Sequence, residues 1–314
     1  LVVCDLIGLG AALVRRLRSI VEARTGIPAS AQMYACTHTH GGPDTGVITT
    51  TGAADPTYIE GLERTLPQVV VDAQSHLTPV RLGWARGVCH AAFNRRQPPG
   101  EEWPIDPDLR VARIEALDGT PVASLLHYTC HPTATGAGVR LVTADWCGVA
   151  RDRLEKAGSG PVLVVNGAAG DVNPIMEVRG LEAAQRTGTI VGDAAVRLWP
   201  QAQPEEVTGI AYNAATVPLA LQPLPDTGRL AVLWKEWREI ERGEPPSSTA
   251  YRAAAITHRD FVQRAMRFHW GSDPLPSLSA ETQVIKVGPL MVASLPGEFF
   301  NACLLYTSPS PGDR

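Results

Sequence analysis

No apolar run in this 314-residue sequence approaches the ~18 residues that a membrane-spanning helix requires, so none is expected. A basic stripe of the kind nucleic-acid proteins carry is missing too. Lysine and arginine number 28 against 32 acidic residues, a formal net charge of −4. The one basic cluster, Arg15-Arg16-Leu17-Arg18, reads as the solvated face of an amphipathic helix. The six cysteines include no C-x-x-C pair, and in a chain this long they do not make a disulfide framework. They read as buried small hydrophobes, which leaves the redox compartment open. What remains is ordinary globular composition, 44% hydrophobic and 19% charged, with length enough for a sizeable core. One large α/β domain or two smaller ones would fit.

Helical and strand-like segments alternate through the first two hundred residues. Strands are expected at 1–6, 32–36, 79–86, 109–116, 121–128 and 162–165, and helices at 11–24, 55–76, 145–156 and 181–198. Asp55-Pro56 supplies an N-cap followed by proline in the first turn, and Asp118-Gly119 is a hairpin signal. This order predicts an α/β fold, a mixed β-sheet flanked by helices. After Pro200 the chain becomes proline-rich, with helical runs at 230–242 and 250–269 bounded by Pro218 to Pro225, Pro245-Pro246 and Pro274 to Pro276. These read as an excursion over the active-site side, before strands at 282–287 and 290–295. The chain opens on Leu1 inside an apolar run, as a fragment would, so the missing signal segment says nothing of location. Residues 303–314 lack periodicity and are expected to be a non-native read-through tail. The expected domain is therefore 1–302, truncated at both ends.

His38 and His40 carry the sharpest chemical signal. On an extended segment, side chains two apart point to the same side, so both imidazoles converge. They follow a short strand and precede Gly41-Gly42-Pro43, where side chains reach a cleft. That suits zinc, for which imidazole is a preferred ligand; a hydrogen-bonded pair of loop histidines is the alternative. His131 sits where another strand opens into a loop before Pro132, whereas His127 falls inside that strand and reads as a core histidine. The segment 166–174 is rich in small residues, yet its glycines do not follow G-x-G-x-x-G and no Lys-Ser/Thr follows. Asp171 and Asn173 therefore read as groups lining a cleft. Glu298, at a Pro-Gly turn, either completes a two-histidine site or is an exposed turn residue. Arg95 either binds a substrate oxygen or lies on a surface loop.

Taken in order, Thr37-His38-Thr39-His40-Gly41-Gly42-Pro43, Asn94-Arg95, Tyr128-Thr129-Cys130-His131, Thr143-Ala144-Asp145, Ala169-Gly170-Asp171-Val172-Asn173-Pro174 and Leu295-Pro296-Gly297-Glu298 resemble the N-terminal catalytic domain of the neutral (non-lysosomal) ceramidases. The resemblance implies a Zn2+-dependent hydrolase of an amide bond in an N-acyl compound, ceramide or a related small molecule or lipid. It implies His38, His131 and Glu298 as metal ligands, with His40 and Arg95 as catalytic or substrate-contacting groups and Asp171 and Asn173 beside them. It also implies a secreted or periplasmic setting. The family carries serine where this chain has Asn173, and usually serine where it has Gly41. Its tyrosine ligand lies past the Pro-Gly-Glu segment, in the region read here as tail, so Tyr306 is given no role. Rival readings are a metallo-β-lactamase fold, whose His-x-His-x-Asp-His pattern Gly41 to Asp44 breaks, and an amidohydrolase barrel, whose regular βα units are not visible. A non-catalytic metal- or lipid-binding homologue is the reading from another class.

Overall fold

The computed structural model describes residues 1–48, 54–176, 178–219, 223–242, 249–271 and 278–307. In chain order these form β1 (Val2–Cys4), α1 (Ala11–Thr25), β2 (Tyr34–Cys36), α2 (Pro56–Ser75), β3 (Val80–Val88), β4 (Ala92–Asn94), β5 (Asp108–Ala116) and β6 (Pro121–Tyr128). Next come α3 (Asp145–Lys156), β7 (Val162–Asn166), β8 (Val172–Pro174), α4 (Leu181–Leu198), β9 (Glu205–Glu206) and β10 (Ile210–Leu219). The described chain closes with α5 (Thr227–Arg242), α6 (Thr249–His269), β11 (Leu278–Val287), β12 (Leu290–Ser294) and α7 (Asn301–Thr307).

Capping and periodicity explain why the helices fall where they do. Asp55 accepts a hydrogen bond from the Thr57 amide at 2.8 Å, and Pro56 opens α2. The Asp118-Gly119 turn joins β5 to β6, Gly119 taking a positive φ of 88° and Asp118 accepting from the Thr120 amide. The predicted mixed sheet is present: five strands in the order β7-β6-β5-β3-β9, with β6 and β7 parallel and the other pairs antiparallel. Helices α3 and α4 cover it. Leu109, Val111, Leu126 and Tyr128 from the sheet meet Trp146, Ala150, Leu154, Val191 and Ala195 from the helices in one buried cluster. Fully burying a leucine or valine side chain is worth about 1.5–3 kcal/mol, so this layer is a main source of the fold's stability.

Three small sheets surround it. The parallel pair β1–β2 and the antiparallel pair β4–β8 each hold three residues per strand, too few for a periodic signal. In the third, β10 pairs with β11 over ten positions and β11 with β12. Sequence reasoning passed over β10 because its residues are almost all exposed and show no alternation. Arg18 ties this sheet to α1: it bonds Gln283 at 3.0 Å and pairs with Glu281 at 2.6 Å, while Gln283 reaches the Ser30 and Gln32 carbonyls. Four of the six cysteines are buried as expected, Cys36 is half-buried and Cys303 exposed. Residues 303–307 of the expected tail lie in α7, and 308–314 are outside the described residues, as are Pro245-Pro246 and Pro274 to Pro276. Among the described residues no helix is long and apolar enough to cross a membrane.

Candidate metal centre

Strand β2 ends at Cys36, and the chain beyond it is no longer extended. His38 adopts a left-handed backbone with φ 68°, a region few non-glycine residues enter and one that costs of order 1–3 kcal/mol. The extended spacing argument for His38 and His40 is therefore corrected: their rings converge, 5.1 Å between centroids, because the chain kinks between them. The kink is held from several sides. The amides of Thr37 and His38 donate to the Cys4 and Leu6 carbonyls at 3.0 Å each, Thr39 donates its hydroxyl to the Thr143 carbonyl, and the His40 amide bonds the Pro132 carbonyl.

Gly41 continues the segment, and its bare Cα is required. A Cβ there would lie 2.4 Å from Thr143 Cγ2 and 2.8 Å from the Thr143 carbonyl oxygen. Gly41→Ser is expected to lower stability by about 1–3 kcal/mol, the usual cost of overpacking. The urea midpoint reads it, and an unchanged midpoint would mean that the Thr143 segment gives way freely.

His131 arrives from the end of β6, 2% exposed, its amide on the Val172 carbonyl at 2.9 Å. Its ring packs 4.7 Å from His38 and 5.0 Å from His40 between centroids. The ring atoms of these three histidines that could bind a metal all lie within 4.8 Å of one another. Backbone carbonyls set two of the rings. His38 Nδ1 donates to Ile7 O at 2.7 Å and His131 Nδ1 to Ala169 O at 3.0 Å, leaving each Nε2 unprotonated with its lone pair turned to the cluster. His38 Nε2 is buried and has no hydrogen-bond partner among the described residues, an atom placed for a ligand. His40 and His131 face each other Nε2 to Nε2 at 3.1 Å. Two nitrogens at about 2.0–2.1 Å from one tetrahedral zinc stand roughly 3.3 Å apart, so this spacing suits a shared ion. The residues present fit a metal.

Five of the nine buried polar atoms that lack a hydrogen-bond partner among the described residues gather here. Asp5 Oδ1, Thr37 Oγ1, Thr133 Oγ1 and Asn173 Oδ1 also lack partners, and each belongs to the frame around the histidines. Asp5 stands between the Cys4 and Leu6 carbonyls that fix Thr37 and His38, the Thr133 amide bonds the His131 carbonyl, and Asn173 follows Val172.

Glu298 comes from the turn after β12. Its carboxylate lies 3.9 Å from His38 Nε2 and 3.5 Å from His131 Nδ1, and Arg95 holds it at 3.2 Å. Arg95 is further fixed by donating to the Gly170 carbonyl from Nε at 3.1 Å and from an Nη at 2.6 Å. The structure thus brings His38, His40, His131, Arg95 and Glu298 together. Asp171 stands behind them, 2% exposed: Oδ1 accepts from the Asn301 amide at 2.5 Å, and Oδ2 from Asn94 Nδ2 at 3.0 Å and the Ala302 amide at 3.4 Å. Asn173 is 7% exposed on β8. His127 stays in β6 against Arg110, away from the cluster, as the strand-interior reading expects.

Sequence reasoning missed Asn166 and Asn94. Asn166 Oδ1 accepts from the Cys130 amide and its Nδ2 donates to the Thr37 carbonyl, 3.2 Å each. One side chain thereby ties the residue before His131 to the residue before His38. Its place at the end of the strongest strand was the only available signal.

Desolvation, opposed by the Ala169 hydrogen bond and aided by the charge His38 would carry, pushes His131 down to about 4. His40 is pushed down to about 4 by desolvation and then by His131 and His38. Unfolded histidines protonate near 6.5, so both groups are more easily protonated in the unfolded chain. The stability they support is present above pH 6.5 and is lost as pH falls toward 4. Chelator-treated protein should show its urea midpoint dropping through that window; a level midpoint would contradict the neutral, buried assignment.

No protein-family model and no curated protein matches this sequence. Solved structures do match in three dimensions. The neutral ceramidase from Pseudomonas aeruginosa aligns with a TM-score of 0.66 at 17% identity, over 94% of this chain and 54% of that one. A ceramidase complexed with C2 aligns at 0.64 and 16% identity, over 93% and 54%. The chain has the neutral ceramidase fold, and it spans about half the length of these relatives.

Proposed function

We propose that this chain belongs to a Zn2+-dependent hydrolase that cleaves an amide bond in an N-acyl substrate. The observation that carries the reading is the triple convergence of His38, His40 and His131, with the Nε2 lone pairs of His38 and His131 freed by backbone carbonyls. The hydrolase class comes from the ceramidase fold, and the metal from the donor set.

In this reading His38 and His131 hold the ion, with Glu298 as the carboxylate donor of a His2Glu set. When bound, zinc lowers the pKa of a bound water toward ~7 and polarises a carbonyl. Arg95 keeps the Glu298 carboxylate against the two imidazoles. His40 is neutral at pH 7, so it can accept a proton and return it to the leaving amine. Water's hydroxyl goes to the acyl carbon and its proton to the nitrogen, giving a carboxylate and an amine. Asn173, whose Oδ1 has no hydrogen-bond partner among the described residues, is an amide and not a nucleophile, but its Nδ2 can donate to the developing oxyanion. Asp171 positions the Arg95 and Glu298 segments.

A second arrangement rests on the three clustered rings: His40 in place of Glu298 as third ligand. Metal content of Glu298→Ala and His40→Ala separates the two, because only the variant that lost a ligand loses the ion. The function is tested on purified protein by zinc analysis and by an N-acyl amide panel, run with Asn173→Ser alongside. Finding no zinc, or turnover of esters alone, would end the amidase reading.

A further inference from the structure

The candidate site has a cation to spare. Arg95 is spent on Glu298 and the Gly170 carbonyl. Arg179, in the stretch between β8 and α4, is exposed and makes no hydrogen bond or ion pair among the described residues. Its position is nonetheless fixed against the loop that leaves His131. The next amide, Gly180 N, donates to the Ala134 carbonyl at 2.9 Å. Its aliphatic stem occupies the space a side chain at Gly136 would need: a Cβ there would lie 2.8 Å from Arg179 Cβ and 2.9 Å from its Cδ. Gly136 also takes a φ of 68°, so this turn is built without a side chain where the arginine crosses it. Arg95 is paired with Glu298, whereas no carboxylate among the described residues pairs with Arg179. Ile175 and Val178, 53% and 80% exposed, lie in the same stretch as Arg179. An unpaired cation beside exposed aliphatic side chains matches a ligand with an apolar chain and an anionic end.

We infer that Arg179 binds an anionic group on the amine side of the substrate, so that the site takes N-acyl amino acids, carrying a carboxylate next to the amide, in preference to neutral N-acyl amines. This rests on the hydrolase reading for the cleavage step but not for the binding step, and the test keeps the two apart. N-lauroylglycine and N-lauroylethanolamine share one acyl chain and differ in the carboxylate. Their affinities for the full chain, with and without added zinc, are measured by calorimetry below the micellar range, and turnover of each is followed separately. The wild type should bind the glycine conjugate about tenfold or more tightly than the ethanolamine conjugate, the worth of a charge-assisted contact. In Arg179→Ala that ratio should fall toward one, in Arg179→Glu it should invert, and Arg179→Lys should restore part of it as a point charge. No preference in the wild type, or a ratio that survives Arg179→Ala, overturns the inference. An Arg179-dependent preference without cleavage supports the subsite while refuting the hydrolase; cleavage of both conjugates at equal efficiency does the reverse.

Discussion

Replacing His131 with alanine is expected to cost more than about a hundredfold in zinc affinity and to abolish turnover. Loss of a mere outer partner of a metal ligand already costs 10–100-fold. His131 does more than an outer partner would: it is one of two rings whose Nε2 is freed by a backbone carbonyl, and it packs against both other histidines. The substitution also removes one of the two donors to the Ala169 carbonyl, which keeps the Val172 amide at 3.0 Å, a loss of about 0.5–1.5 kcal/mol of stability. A fall in activity could then reflect unfolding, so the control matters. His127→Ala removes a histidine that is also pushed down to about 4, from the same strand, but one set against Arg110. It should lower the urea midpoint while zinc content stays at the wild-type level. Zinc analysis after dialysis, with circular dichroism to confirm folding, distinguishes the two variants. Wild-type zinc affinity in folded His131→Ala would remove His131 from the site.

Asp171→Ala should produce the largest loss of stability among the site residues, about 3 kcal/mol, by stranding the buried donors its carboxylate serves. Those donors are Asn94 Nδ2 and the Asn301 and Ala302 amides, and they come from two distant parts of the chain. The same residue's carbonyl accepts from the Arg95 amide at 2.7 Å, while Glu298 lies three residues before Asn301. Asp171 thus links the Arg95 strand to the Glu298 turn. Its loss should loosen that ion pair and raise KM more than it lowers kcat. Asp171→Asn keeps one carbonyl acceptor and should recover part of the stability. Were Asp171 instead acting on the substrate, both variants would be inactive while retaining the wild-type urea midpoint. Denaturation curves beside steady-state kinetics decide between these outcomes.

Much of this molecule is readable along the chain because its signals are local. Helices α3 and α4 and strand β6 begin and end where periodicity and turn residues place them, since each buries one face against the same core. Strand β10 escaped because it buries almost nothing, and β4 and β8 because three residues carry no period. The site divides the same way. His38, His40, His131, Arg95 and Glu298 were identifiable as residue types at strand ends and turns. Asn166 was not, because its role is a pair of hydrogen bonds to the Thr37 carbonyl and the Cys130 amide, far from it in sequence.

By itself the sequence determined the α/β class and the core helices, which come from residue type and spacing, and it offered His38, His40 and His131 as residues that could meet at a metal. Only the tertiary structure decided how they meet. The left-handed turn at His38 replaced an extended segment, Asp171 went to backbone amides, and Gly41 proved necessary beneath Thr143. The aliphatic stem of Arg179 was set against the loop from His131. Each of these depends on contacts between segments tens to hundreds of residues apart, and no local pattern records such contacts until packing brings them together.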